Sequence, residues 1–165
     1  MILSALFFLF LLLENLLLPA LFGPGSFLII PTFTFAVVVY GNNLKLRFFQ
    51  IFIFLVFTEF FTASEFGSIV FPFICVAILH LWLNRFLNIK SGLTEGGIIF
   101  RFFGGTLYLT FLVFSFAFVS LLFQFHNLSA SWESLIIFIR TSGYQTIGWS
   151  LAFIILFKYL FNKTI

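Results

Sequence analysis

Charge is what this chain has least of. Only 8% of its 165 residues are Asp, Glu, Lys or Arg, while 62% are hydrophobic. A water-soluble domain of this length could not cover its surface with so few polar groups, so composition alone excludes a soluble protein. Cysteine is nearly absent too. The single Cys75 excludes an internal disulfide, and its setting inside an apolar run reads as a packing residue, with nothing nearby to lower a thiol pKa. His80, with Glu14 and Glu59 distant from it and Cys75 within an apolar run, makes no metal site of familiar spacing. Glu95-Gly96-Gly97 and Gly104-Gly105 make no nucleotide loop, because no Gly-Lys-Ser/Thr follows them. No nucleophile–base pair, no paired carboxylates in a water-facing loop and no redox motif occur. The expectation is a protein that is not an enzyme, carries no cofactor and binds no nucleic acid.

What is present in abundance is long apolar runs. The 31 phenylalanines need no special chemistry, since an A+T-rich genome favours Phe codons and lipid tolerates Phe as well as Leu. A spanning helix needs about 20 apolar residues, and turn signals divide the chain into six candidates: 2–22, 26–40, 48–63, 66–86, 102–125 and 146–161. The first lacks a basic n-region and a small-residue cleavage site, so it reads as a retained span and not a signal peptide. Phe22-Gly23-Pro24-Gly25 and Gly41-Asn42-Asn43 read as turns. Residues 131–143, with Trp132, Glu133 and Arg140 around a short apolar stretch, read as a helix lying in the interface. The competing reading is one long tilted helix from Ser134 onward, which Gly143 and Gly148 would weaken. The expected fold is therefore an all-α polytopic membrane domain spanning 1–165, with about six transmembrane helices.

Basic residues set its orientation. With six spans, Lys45, Arg47, Arg85, Lys90, Arg101, Lys158 and Lys163 fall on the side of both termini, and only Arg140 falls on the other. By the positive-inside rule both termini are cytoplasmic, and the composition suggests a bacterial inner membrane with lipid as its surroundings. There the acceptor-like Asn127-Leu128-Ser129 beside His126 carries no meaning.

Against this background the stretch from Phe48 to Phe86 stands out, with Glu59 sunk in its first apolar run. Glu14 lies in a span of the same direction and at similar depth in the outer half. A carboxylate there is costly unless paired, hydrated or protonated. Two readings stand. In one, Glu14 and Glu59 share an internal polar site or face a partner subunit. In the other, each bonds locally, Glu14 with Asn15 or the carbonyls loosened by Pro19, Glu59 with Thr58 or Thr62. His80 counts as five or so residues from the inner end of its span, which makes it an interfacial anchor. Gly104-Gly105, Ser115, Ala117 and Ser120 allow close helix approach along the fifth span.

The segment Phe57-Thr58-Glu59-Phe60-Phe61-Thr62-Ala63-Ser64-Glu65-Phe66-Gly67, with Arg85 closing the next span, resembles the rod shape-determining protein MreD family of small bacterial inner-membrane proteins. That family has an acidic residue before a small-residue turn and a glycine opening the next span; Glu59 and Gly67 stand in those positions. Pro31, Tyr40-Gly41 and the short basic loop after them fit the same plan. The chain departs in having Glu where the family has Asp, and no Gly before it. The resemblance implies a non-enzymatic part of the cell-shape and wall-elongation machinery. Its partners would be a single-span scaffold of the MreC kind and wall-synthesis membrane proteins. Glu14, Asn15, Glu59 and Gly67 are the candidate intramembrane or partner-binding residues. A second class, the substrate-binding subunit of an energy-coupling-factor vitamin transporter, shares the size and topology. It requires small residues spaced by four on the first helix, where this chain has Ser4-Ala5-Leu6-Phe7-Phe8-Leu9. An ion or proton pathway through Glu14 and Glu59 would lack any acid continuing inward.

Overall fold

The computed structural model describes residues 2–22, 28–40, 44–62, 67–89, 93, 97, 100–125 and 128–161. The expected turns at 23–25 and 41–43, most of the polar stretch 88–97, and His126 and Asn127 lie outside these residues. The described chain forms six helical rods and no strand. The first rod is α1 (Ile2–Leu12), a π-helical turn (Leu13–Leu17) and α2 (Leu18–Phe22). Then come α3 (Ile29–Tyr40), α4 (Leu44–Phe61) and α5 (Val70–Leu87). A second π-helical turn (Phe100–Gly104) leads into α6 (Gly105–Phe125), and α7 (Leu128–Phe161) closes the fold. Three stretches, Leu3–Ala20, Val70–Leu87 and Arg101–Gln124, are long and apolar enough to cross a bilayer. The protein is an all-α membrane protein.

Side-chain pairs fix the direction of each rod. Phe10 meets Phe33 and Glu14 meets Ile30, so the first rod is antiparallel to α3. Phe71 meets Phe123 and His80 meets Tyr108, so α5 is antiparallel to α6. Phe118 meets Trp132 and Phe102 meets Lys158, so α6 is antiparallel to α7. Phe7 meets Phe54 and Phe8 meets Phe57, so α4 runs parallel to the first rod; the rods thus alternate, and an even number of them brings the two ends of the described chain to one end of the bundle.

The centre of the bundle is α3. Ten of its 12 residues are buried, from Ile29 and Ile30 through Thr32 to Val39. A helix that is apolar all round belongs inside. Around it Phe33 packs on Phe10, Phe153 and Phe157, and Phe35 on Phe73 and Phe116. Twelve residues span only about 18 Å, short of the roughly 30 Å hydrocarbon core. Of the expected second span, 26–40, the described part is Leu28 and the helix Ile29–Tyr40, and the start of that helix lies inside the protein. The non-helical backbone of Leu28 just before it is tolerated because that residue is covered by protein and not by lipid.

The last rod differs from the interfacial-helix reading. No break separates 131–143 from 146–161; α7 is one helix of 34 residues, about 51 Å long. Glycine inside a helix costs about 1 kcal/mol against alanine, but Gly143 packs against Phe114 of α6 and the helix continues. Arg140 therefore does not sit in an outer interfacial helix. It lies between Phe138, whose ring meets Phe114, and Gly143, which also meets Phe114. Phe114 is near the middle of the Arg101–Gln124 stretch.

The close approach foreseen at Gly104-Gly105 occurs at the second glycine. A methyl group on Gly105 would overlap the Tyr40 hydroxyl and crowd Ile154 Cδ1 at 3.2 Å. Ala117 is buried farther along, while Ser115 turns its hydroxyl back to the Phe111 carbonyl at 2.9 Å.

Candidate functional site

A helix begins with N–H groups that have no partner within the helix. In water they are hydrated; inside a membrane protein something else must accept them. Both intramembrane glutamates do this. Glu59, only 2% exposed, projects from the end of α4 to the start of α5. Its Oε2 accepts from Gly67 N at 2.9 Å, and its Oε1 accepts from Ile69 N at 2.6 Å and Val70 N at 2.7 Å. Negative charge density at a helix N-terminus also meets the positive end of the helix dipole.

The approach to α5 is shaped for this. Gly67 has φ +91°, the left-handed region that residues with a side chain adopt only at a cost. That turn converges successive amides on one point, the geometry of an anion-binding nest. A Cβ on Gly67 would meet nothing within 4 Å, so the position requires glycine for its backbone angle and not for space. Pro72, the third residue of α5, has no N–H to leave unsatisfied.

Glu14 repeats the device one helix pair earlier. Its Oε2 accepts from Ile30 N at 2.7 Å, an amide in the first turn of α3. Leu28 has φ +55°, again left-handed. Its carbonyl is held by Thr32 through both N (3.2 Å) and Oγ1 (2.6 Å). Pro31 is the third residue of α3, as Pro72 is of α5. Glu14 itself stands in the π-helical turn Leu13–Leu17, where Leu18 N–H reaches back to Leu13 O. Pro19 explains the turn: its ring cannot donate to Asn15 O and would crowd it, and an inserted residue relieves the clash. Asn15 bonds the Leu11 carbonyl through Nδ2 at 3.0 Å.

The two glutamates lie at similar depth. The Phe7 and Phe54 rings stack at 4.2 Å, and Glu14 and Glu59 follow them by seven and five residues, an axial difference of about 3 Å. The structure brings Glu59 and Gly67 together and turns each carboxylate toward a different helix start. The hydroxyls of Thr58 and Thr62 bond the Phe54 and Thr58 carbonyls, at 2.8 and 2.9 Å. The amides that hold Glu59 are eight to eleven residues on in the chain.

His80 departs from its sequence reading. It is 2% exposed, and its Nδ1 lies 2.8 Å from the Tyr108 hydroxyl of α6. The interfacial ring on that helix is Trp82, 57% exposed and packed on Phe86. Counting residues to the span end gave depth but not facing. The sequence reading also missed a polar seam on α7, where Ser142, Thr146 and Ser150 are buried at spacings of four. Ser150 Oγ accepts from Thr110 Oγ1 of α6 at 3.4 Å. The small-and-polar spacing was the available signal. Among the described residues no group of three or more His, Cys, Asp or Glu is placed to hold a metal.

No protein-family model, curated protein or solved structure matches the chain.

Proposed function

We propose that this chain is a non-enzymatic, multi-pass component of a bacterial inner membrane that serves the cell-shape and elongation machinery. In this reading both termini are cytoplasmic, and the protein works by binding partner membrane proteins through its helices. The observation that supports it most is the bond between Glu59 and Gly67. These are the two positions that carry the MreD resemblance, and here they form one physical unit, an acid that caps the next helix and the glycine whose backbone angle allows it. A second support is that both carboxylates serve internal backbone. Recognition is then left to the outer helix faces, as expected for a single-span scaffold partner.

The vitamin-transporter alternative draws less support. The outward face of the first rod carries Phe8, Leu9, Leu12 and Leu16, large side chains where docking by small residues is needed. Affinity purification of the tagged full-length chain from native membranes separates the two. The scaffold reading expects a single-span protein with a large extracytoplasmic part. Recovery of an ATPase pair, with a vitamin-uptake defect on deletion, would overturn it.

A further inference from the structure

Among the described residues, Arg140 is a charged group that the internal architecture does not use. It is exposed, stands level with the middle of the α6 span, and pairs with no carboxylate among the described residues. It belongs to a continuous outer stripe of α7: Glu133, Ile137, Arg140, Tyr144, Gly148 and Leu151, all exposed and spaced by three or four. Tyr144 is 87% exposed. The opposite face of the helix carries the buried Ser142, Thr146 and Ser150. Lipid tails are a poor environment for such a stripe, because a guanidinium facing hydrocarbon at mid-depth is costly and intramembrane ionisable groups face protein or water.

We propose that this stripe of α7 is a docking surface for a transmembrane helix of a partner protein, one that carries an Asp or Glu placed to pair with Arg140. The proposal rests on the partner-binding reading above and gives it a location. Charge decides the occupant. A second copy of this chain shares its orientation in the membrane, so a two-fold contact along the stripe would set Arg140 against its twin in a low-dielectric setting. A partner carboxylate removes that penalty and forms a bidentate pair. Shape agrees: space above Gly148 is open, and Ala152 is exposed one turn farther on. Small residues four apart let a second backbone come close.

The test places a photo-crosslinking phenylalanine analogue at Tyr144 in the full-length protein in native membranes, with the captured segment identified by mass spectrometry. The expected product is a transmembrane segment with an Asp or Glu within one turn of the cross-link. Arg140→Glu is expected to lower the yield at least tenfold, and replacing the partner acid by Arg to restore it. Gly148→Leu, which leaves the charge in place, is expected to lower the yield similarly should Arg140→Glu fail to accumulate. Cross-links only to lipid or to a second copy, a captured helix without a carboxylate, or yields unchanged by these substitutions would overturn the proposal. The two readings fail separately. A scaffold recovered by affinity purification but never cross-linked at 144 removes the docking site alone. An acid-bearing helix from an ATPase-coupled transporter keeps the site and removes the scaffold function.

Discussion

Glu59 and Gly67 work as one unit, and each can be tested alone. With both Glu59 oxygens accepting backbone N–H groups, Glu59→Gln replaces one acceptor by an NH2 group that faces a donor. Leaving a buried donor unsatisfied costs about 1–3 kcal/mol, so a loss of that size is expected in reversible unfolding in detergent or bicelles. Glu59→Asp, one methylene too short to span the turn, is expected to lose about as much. Gly67→Ala meets no steric obstacle but forces a side chain into the left-handed region, at about 1–2 kcal/mol. Its effect should be nearly absent on a Glu59→Gln background, because the turn then has no anion to converge on. The hydrogen bond between His80 and Tyr108 makes a separate test. Interhelical pairs of this kind average about 0.6 kcal/mol in membranes, so a His80→Phe and Tyr108→Phe double-mutant cycle is expected to show a coupling of that order.

Among the elements, α3 explains why acids are needed at all. A helix of about 18 Å buried at the centre of the bundle begins out of reach of water, and Glu14 completes it. Glu14→Gln is therefore expected to destabilise α3 as Glu59→Gln does α5. The sequence showed that Glu14 and Glu59 were costly and roughly level. It could not show where they pointed, since their partners are eight to sixteen residues away across turns. For His80, distance from the helix end was readable, while the Tyr108 partner depended on how α5 and α6 meet. In α7 the glycines were legible as weak points, yet packing on Phe114 and the need to close every backbone bond in lipid override their propensity. A spin label at Ile137 tests this. It is expected to be relaxed by oxygen more than by a water-soluble nickel complex; the reverse would restore an interfacial helix.

At the scale of the molecule, the apolar runs and the seven-to-one split of basic residues already implied an even number of spans. Among the described residues the structure shows six alternating rods, with three stretches long and apolar enough to cross a bilayer. Reporter fusions at either terminus are expected to be active in the cytoplasm, and one at 126–127 outside. What holds these rods together is a Phe-rich centre around α3 and two acid-capped helix starts. The two starts repeat the same order of parts: a helix with a glutamate, a left-handed residue, then an antiparallel helix with proline as its third residue. The third helix pair is built otherwise, through the hydroxyl seam between α6 and α7, and it is the pair that presents Arg140.

The most direct test of the buried-cap account is amide hydrogen exchange across residues 67–72 in lipid nanodiscs, wild type against Glu59→Gln. N–H groups in a helix's first turn have no intrahelical acceptor and ordinarily exchange fast. Here the Ile69 and Val70 amides are expected to be protected in the wild type. In the variant they should exchange at least tenfold faster, a change of about 1.4 kcal/mol, while α6 and α7 stay unchanged. Equal exchange in the two proteins would contradict the claim that Glu59 holds the start of α5.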